Sequence, residues 1–340
     1  MRASDLGTPH IGMHPLHGIH APTKGTPARQ LGSVRRTSSI DITREPGSLD
    51  PVHLSGRARD LMTAHDGTTI ELGDARIRAT VEAVARVVQY IDLEPRVAGM
   101  HLAGAPAMSG FRAAVDKTAP ELRQRRDLRY TLLDDVPVAT LISGHALSAS
   151  GALGNGVTSG YLPVADRCAG FVTGGLLMTS FETGDPAVVT GPPAPSLEDP
   201  NDPLAWHELT ALPVHGMRRR RRLDVHQGSD SREMVIDAMF RDTYVRADGT
   251  ETIIHEYTIE AAVDLDTETI LRSEAVPRVL PWQECPGAVA SATRLAGMRL
   301  NELHTRVRHE LHGTTTCTHL NDLLRSIADA EALVSLLSAG

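Results

Sequence analysis

The sequence predicts an α+β protein built by internal duplication, each half an antiparallel sheet followed by helices. Three observations carry this expectation. Runs of alternating residues rich in Val, Ile and Thr, punctuated by Asp-Gly turns, give way to stretches with apolar residues at helical spacing. Sequence patterns recur: "RRTSSIDI" at 35–42 returns as "RRRRRLDV" at 218–225, and "RARDLMTAHDGT" at 57–68 returns as "MFRDTYVRADGT" at 239–250. One offset (241 − 59 = 182) relates Arg59 to Arg241, Asp60 to Asp242, Gly67 to Gly249, Pro95 to Pro277 and Arg96 to Arg278. A repeat of that length is a domain rather than a solenoid unit.

Residues 1–33 hold Pro, Gly and four histidines (His10, His14, His17, His20) without apolar periodicity. They read as a flexible arm or a strap over a neighbouring subunit, so a homo-oligomer is expected. Residues 34–145 form the first α+β repeat. Residues 146–214 are a Gly/Pro-rich insert and linker: "SASGALGNGVTSG" opens it, "GPPAPSLEDPNDP" at 191–203 is Pro-rich, and "CAGFVTGGLLMTSF" reads as a strand or buried turn. His145, Ser148 and Ser150 fall in a stretch expected to be flexible, and Trp206 reads as a core plug.

Residues 215–340 are the second repeat, which carries the expected site. Its segments "RRLDV", "REMVIDAMFRDTYVR", "TIIHEYTIEAAVDL" and "ETILRSEAVPR" alternate as strands, with "RADGT" and "DLDTE" as turns. After Pro281 the spacing becomes helical in "PGAVASATRLAGM", "NELHTRVRHEL" and "HLNDLLRSIADAEALVSLL".

The chain has 340 residues, a net charge of -8 and only 3% aromatic residues, so Leu, Val, Ile and Ala must build its core. That charge gives no reason to expect binding to nucleic acid or to an anionic membrane. No apolar run approaches the ~18 residues needed to span a bilayer, and the N-terminus lacks the layout of a secretion signal. Three cysteines, at 168, 285 and 317, do not make a disulfide framework. A cytoplasmic protein with reduced thiols is expected.

The chemistry-bearing residues gather in the second half. His255 lies on a strand, Cys285 at a sheet-to-helix turn, and Cys317 and His319 at the start of the last helix. Cys and neutral His suit a Zn or Fe ion, and a helix N-terminus favours a thiolate, so Cys317 and His319 also read as a nucleophile pair. Neither CxxC nor HExxH spacing is present. Buried thiols and a helix capped by Thr316 or Thr318 are the plainer reading. At the 182 offset the four residues face Gly73, Ala103, Asp135 and Pro137, so the set is confined to one copy.

The matched charges, including Asp41 with Asp224 and Arg59–Asp60 with Arg241–Asp242, read as structural ion pairs. Arg241, Arg278 or Arg306 would neutralise an acidic substrate. The run Arg218–Arg222 could bind phosphates, but its counterpart Arg35–Arg36 opens a strand in the same place, so it is expected on a strand edge with alternate side chains solvated.

"IIHEYTIEAAVDLDTETI", "PWQECPGAVASATRLAGMRL" and "HGTTTCTHLNDLL" together resemble a bacterial family catalogued only as a domain of unknown function, marked by a C-terminal "CTHL". The resemblance implies a role in the catabolism of aromatic or acyl compounds. A more distant likeness is to NifU/SufE-type iron–sulfur assembly proteins, which implies Cys285, Cys317 and His319 as scaffold ligands. The expected function is an enzyme of lyase or hydrolase type acting on a small organic substrate. Its alternative is a metal or sulfur carrier.

Overall fold

The structure, a computed structural model, describes residues 11–13, 20–152, 164–183 and 188–339. Strand β1 (Ile11–Met13) pairs in parallel with β6 (Val188–Thr190). Eight longer strands form one antiparallel sheet. Strands β2 (Ser33–Thr43), β3 (Val52–Thr63), β4 (Thr69–Glu82) and β5 (Val87–Glu94) make one meander, and β7 (Met217–Gln227), β8 (Glu233–Val245), β9 (Glu251–Asp264) and β10 (Thr269–Val279) make another. The order across the sheet is β10-β9-β8-β7-β2-β3-β4-β5, so the first strands of the two meanders meet at its centre. Their register sets Arg35 opposite Asp224 and Asp41 opposite Arg218, a reciprocal pair of cross-strand charges.

Helices cover one face. The first meander is followed by α1 (Phe111–Thr118), α2 (Pro120–Gln124) and α3 (Leu128–Ala149), with α4 (Leu176–Glu182) in the connection. The second is followed by 3-10 turns at Cys285–Leu295, then α5 (Leu303–Glu310), α6 (Thr318–Ser326) and α7 (Ala330–Ala339). The α6 segment folds as its spacing requires. Leu320, Leu323, Leu324 and Ile327 recur at i, i+3, i+4 and i+7 and are fully buried. At the start of α3 the Asp127 carboxylate accepts the Arg129 N–H at 2.9 Å and caps the helix. Two aliphatic cores lie beneath these helices, one around Ile40, Ile77 and Leu132, the other around Ile236, Ile259 and Leu323. The fold is thus α+β, with one large antiparallel sheet.

Segments from the arm and the insert cover the opposite face. Gly25 N–H donates to Ser196 O at 2.8 Å, Trp206 Nε1 donates to Thr26 Oγ1 at 2.7 Å, and Arg29 pairs with Asp202 at 2.8 Å. Residues 20–30 therefore strap this chain's own sheet.

Four local expectations are corrected. Strand β7 lies at the centre of the sheet rather than at an edge, and Arg218, Arg219, Arg221 and Arg222 are buried. Carboxylates from neighbouring elements make that possible: Asp41 holds Arg218, Asp135 and Asp242 hold Arg219, and Asp224 and Asp237 hold Arg222. The stretch "CAGFVTGGLLMTSF" opens with a buried 3-10 turn, the second of its two expected forms, but then continues as helix α4. His145 and Ser148 lie within α3 and Ser150 caps its end, because the helix outruns the predicted boundary. Residues 285–295 wind as tighter 3-10 turns around Pro286 rather than as an α-helix. His10, His14, His17 and "GNGVTSG" at 154–160 lie outside the described residues.

Candidate functional site

Strands β8 and β9 form a hairpin about the turn at Asp248-Gly249. From the turn inward, Thr243 pairs with Ile253, and a bulge then sets Asp242 opposite His255. Both side chains point to the helix-covered face, where the first turn of α6 delivers His319. His255 Nδ1 stands 3.2 Å from Asp242 Oδ2. The His255 and His319 rings stack with centroids 3.7 Å apart and planes 20° apart. One ligand atom from each of Asp242, His255 and His319 lies within 4.8 Å of the others.

The carboxylate of Asp242 is fully buried and held from beneath by Arg219, whose Nη1 donates to Oδ1 at 2.8 Å and to Oδ2 at 3.0 Å. The Arg219 guanidinium also packs 4.5 Å from the centre of the Phe240 ring. It opens a buried ionic network in which Arg112, Arg219, Arg221 and Arg325 face Asp134, Asp135, Asp242 and Asp322. The members come from α1, α3, α6, β7 and β8, so the network ties the helices of both meanders to the central strand. Four cations against four carboxylates leave it neutral, which is what makes such burial tolerable.

This environment sets the protonation states. Burial, reinforced by the neighbouring His255, pushes the His319 imidazole down to about 3, so it is neutral at physiological pH. Burial raises the Asp242 carboxyl above its ordinary value against the pull of Arg219 and His319. Burial also lifts Asp322, but Arg325, Arg112, Arg219 and Arg221 outweigh it and hold that carboxyl at about 2. The polar atoms buried here without a hydrogen-bond partner among the described residues include Arg221 Nε, Arg325 Nε, His319 Nε2, Arg219 Nη2 and Asp322 Oδ2. The last two are 3.7 Å apart.

His255 and His319 thus come together, and the two cysteines stand elsewhere. Cys285 and Cys317 are buried in the aliphatic core with Tyr257, and Cys168 joins them because Ala169 N–H donates to Thr316 O at 2.8 Å. Cys317 caps α6, and the N–H groups of Leu320 and His319 favour its thiolate, but burial wins and pushes the thiol up to about 12. Burial likewise raises Cys285 well above the ordinary thiol range. The expected thiolate at a helix start is therefore a neutral thiol, because desolvation exceeds the helix-terminus effect.

The three arginines considered for substrate lie away from the histidines. Arg241 points to the strap face, where it pairs with Glu256 at 2.6 Å and donates to Pro195 O at 2.6 Å and Thr23 O at 2.5 Å. Arg278 donates to Thr258 Oγ1 at 3.1 Å on the outer strand β10, and Arg306 sits on the exposed side of α5 with Glu302 and Glu310. From sequence, Asp242 reads as half of a structural pair and Arg219 as part of a strand-edge run, and Asp322 stands out in neither way. The hairpin turn at Asp248-Gly249 brings Asp242 near His255, but only the bulge sets the two opposite.

Comparison with known proteins bears on the same half of the chain. Residues 217–333 match a family described as "Protein of unknown function (DUF2889)". The match spans β7 to α7 and includes Asp242, His255, Cys285, Cys317 and His319. No curated protein matches the chain. Among solved structures, a crystal structure of lipopolysaccharide binding protein is similar over 85% of this chain and 72% of that chain, at 7% identity and a TM-score of 0.16. No helix among the described residues is long and apolar enough to cross a membrane.

Proposed function

We propose that the chain is an enzyme of lyase or hydrolase type, acting on a small organic substrate, aromatic or acyl, by imidazole acid–base chemistry at Asp242, His255 and His319. The observation that carries this is the 3.2 Å approach of His255 Nδ1 to the Asp242 carboxylate beneath the neutral His319 ring. With the proton on Nδ1, the ring nitrogen that approaches the Asp242 carboxylate, the lone pair of His255 is on Nε2. His255 then takes a proton from the substrate or from an attacking water, and Asp242 stabilises the imidazolium that results. Arg219 fixes the Asp242 carboxylate from beneath and so holds it against His255. The same reading takes the two meanders as copies of one unit, since Arg36–Asp60 in the first matches Arg219–Asp242 in the second. We place its work in the cytoplasm as a homo-oligomer.

A second reading, a Zn- or Fe-dependent site or a metal carrier, draws on the three ligand atoms within 4.8 Å. The ring stack weighs against it. An ion bound at about 2 Å must lie in the plane of each imidazole, and planes 20° apart with centroids 3.7 Å apart do not meet that close to the rings. Either ring would have to turn.

Nitrogen-15 NMR of the imidazoles tests the choice. The expected result is His255 protonated at Nδ1 and His319 neutral down to pH 5. On a panel of small aryl esters and acyl thioesters, His255→Gln is expected to lower turnover at least about 100-fold. A His319 that titrates near 6.5, or a His255→Gln protein of unchanged activity, would refute the acid–base reading. Stoichiometric Zn or Fe that is lost in His319→Gln would put the metal reading in its place.

A further inference from the structure

We propose that the strap-covered face of the sheet holds a binding site for a phosphate group between Arg59 and Arg220, beside His207. This site is independent of the acid–base site, which lies on the other face.

The central strand β2 supplies the platform. Thr37 Oγ1 lies 2.9 Å from His207 Nδ1, and Ser39 Oγ lies 2.7 Å from His207 Nε2. The strand register sets Arg59 of β3 opposite Thr37, and both Arg57 of β3 and Arg220 of β7 opposite Ser39. Arg57, Arg59, Arg218 and Arg220 therefore surround the buried His207 ring. Together with burial, their charges hold that imidazole neutral, down at about 3. Two of the four are compensated, Arg57 by Asp74 and Arg218 by Asp41, each at 2.5 Å.

The other two form no ion pair among the described residues. Arg59 is only 4% exposed; its Nη2 donates to Leu204 O at 2.5 Å and its Nε has no partner. Arg220 is half-buried over the Trp206 ring, 5.8 Å from its centroid. Glu71 and Asp74 act on Arg59 from a distance, as Glu198 and Glu251 do on Arg220, and Glu251 is already bonded to Thr243 Oγ1 at 2.5 Å.

A guanidinium shielded from water, as Arg59 is, or half-shielded, as Arg220 is, is costly without a counter-ion, and every other arginine around His207 has its carboxylate. A phosphate dianion matches both charges, and its oxygens accept the N–H groups that a guanidinium presents. A single carboxylate would answer only one.

The experiment is titration of the full chain with inorganic phosphate and with methyl phosphate, by calorimetry and thermal unfolding, against sodium chloride of equal ionic strength. Phosphate is expected to raise Tm by about 2–4 °C. Arg220→Gln and Arg59→Gln are each expected to weaken binding at least about tenfold. Without phosphate, Arg220→Gln is expected to match or exceed the wild-type Tm, because it removes a repelled charge. A merely structural arginine would instead lower Tm and leave any phosphate response unchanged. Binding of both probes assigns a phosphomonoester group, and binding of inorganic phosphate alone assigns the free ion. A Tm rise no larger than that in chloride, or equal affinity in wild type and both variants, overturns the site.

Discussion

The two meanders offer the same position twice and fill it differently. In the second, Asp242 of β8 stands opposite His255, just before a bulge, with Arg219 gripping the carboxylate. In the first, Asp60 of β3 stands opposite Gly73, also just before a bulge, with Arg36 gripping the carboxylate at 2.7 Å. The arginine, the aspartate and the bulge are common to both, so they belong to the scaffold. The histidine is not. Where His255 and His319 stack in one half, the other has a cavity of about 550 Å³ lined by Arg36, Asp60, Gly73 and Leu128. A shared ionic floor with divergent groups above it separates what holds the sheet together from what can act on a substrate.

The strongest way to test that separation is to break the floor. Arg219 is fully buried against three carboxylates, so Arg219→Met leaves Asp135, Asp242 and Asp322 without it. A loss of about 3–5 kcal/mol in urea unfolding is expected. Arg36→Met strips Asp60 and Asp329 and should cost a similar amount. If only one substitution is severe, the two floors are not equivalent.

Acid distinguishes the halves next. The folded-state value of His319 is lowered to about 3, below the ordinary 6.5 it has when unfolded, so its proton binds the unfolded chain more tightly. Its contribution is complete above pH 6.5 and is lost as pH falls from 6.5 towards 3. The slope approaches about 1.4 kcal/mol per pH unit for each such proton. His207 follows the same sign for the same first cause, burial. His319→Gln should flatten the pH dependence of the urea midpoint between pH 7 and 5, whereas Gly73→Ala should leave it unchanged.

The thiols test whether Cys317 belongs to the site or to the scaffold. Buried and neutral, Cys285 and Cys317 should resist iodoacetamide in the native protein and react once it is unfolded. Cys317→Ala should cost about 1–2 kcal/mol while leaving the His319 titration in place. The smallest effect is expected at Gly73, where an added Cβ would meet only the tip of Leu128, 3.1 Å away. Gly73→Ala should change stability by less than about 1 kcal/mol, as measured by urea unfolding.

Much of the scaffold was legible because it depends on local pattern. The alternation in "TIIHEYTIEAAVDL" marks β9, and the i, i+3, i+4, i+7 leucines mark α6, since one buried face imposes one period. That Gly73 and Pro137 stand 182 residues before His255 and His319 was also visible in the sequence. The meeting of the two histidines with Asp242 was not. A hairpin without the bulge between Asp242 and Thr243 would put Asp242 beside Ile254, because one residue of slip turns a strand over.

The same limit applied to the charges and the thiols. Five successive arginines look like a solvated edge until the carboxylates of β2, β8 and α3 close around four of them. Cys168 reaches the other two cysteines only through the pairing of Ala169 with Thr316. The sequence by itself determined the strands of the second meander and the buried face of α6, and which half carries His255, His319 and two of the thiols. Only the tertiary structure decided which of these groups share a site, because bulges, central strand pairing and desolvation are set by contacts between residues far apart in the chain.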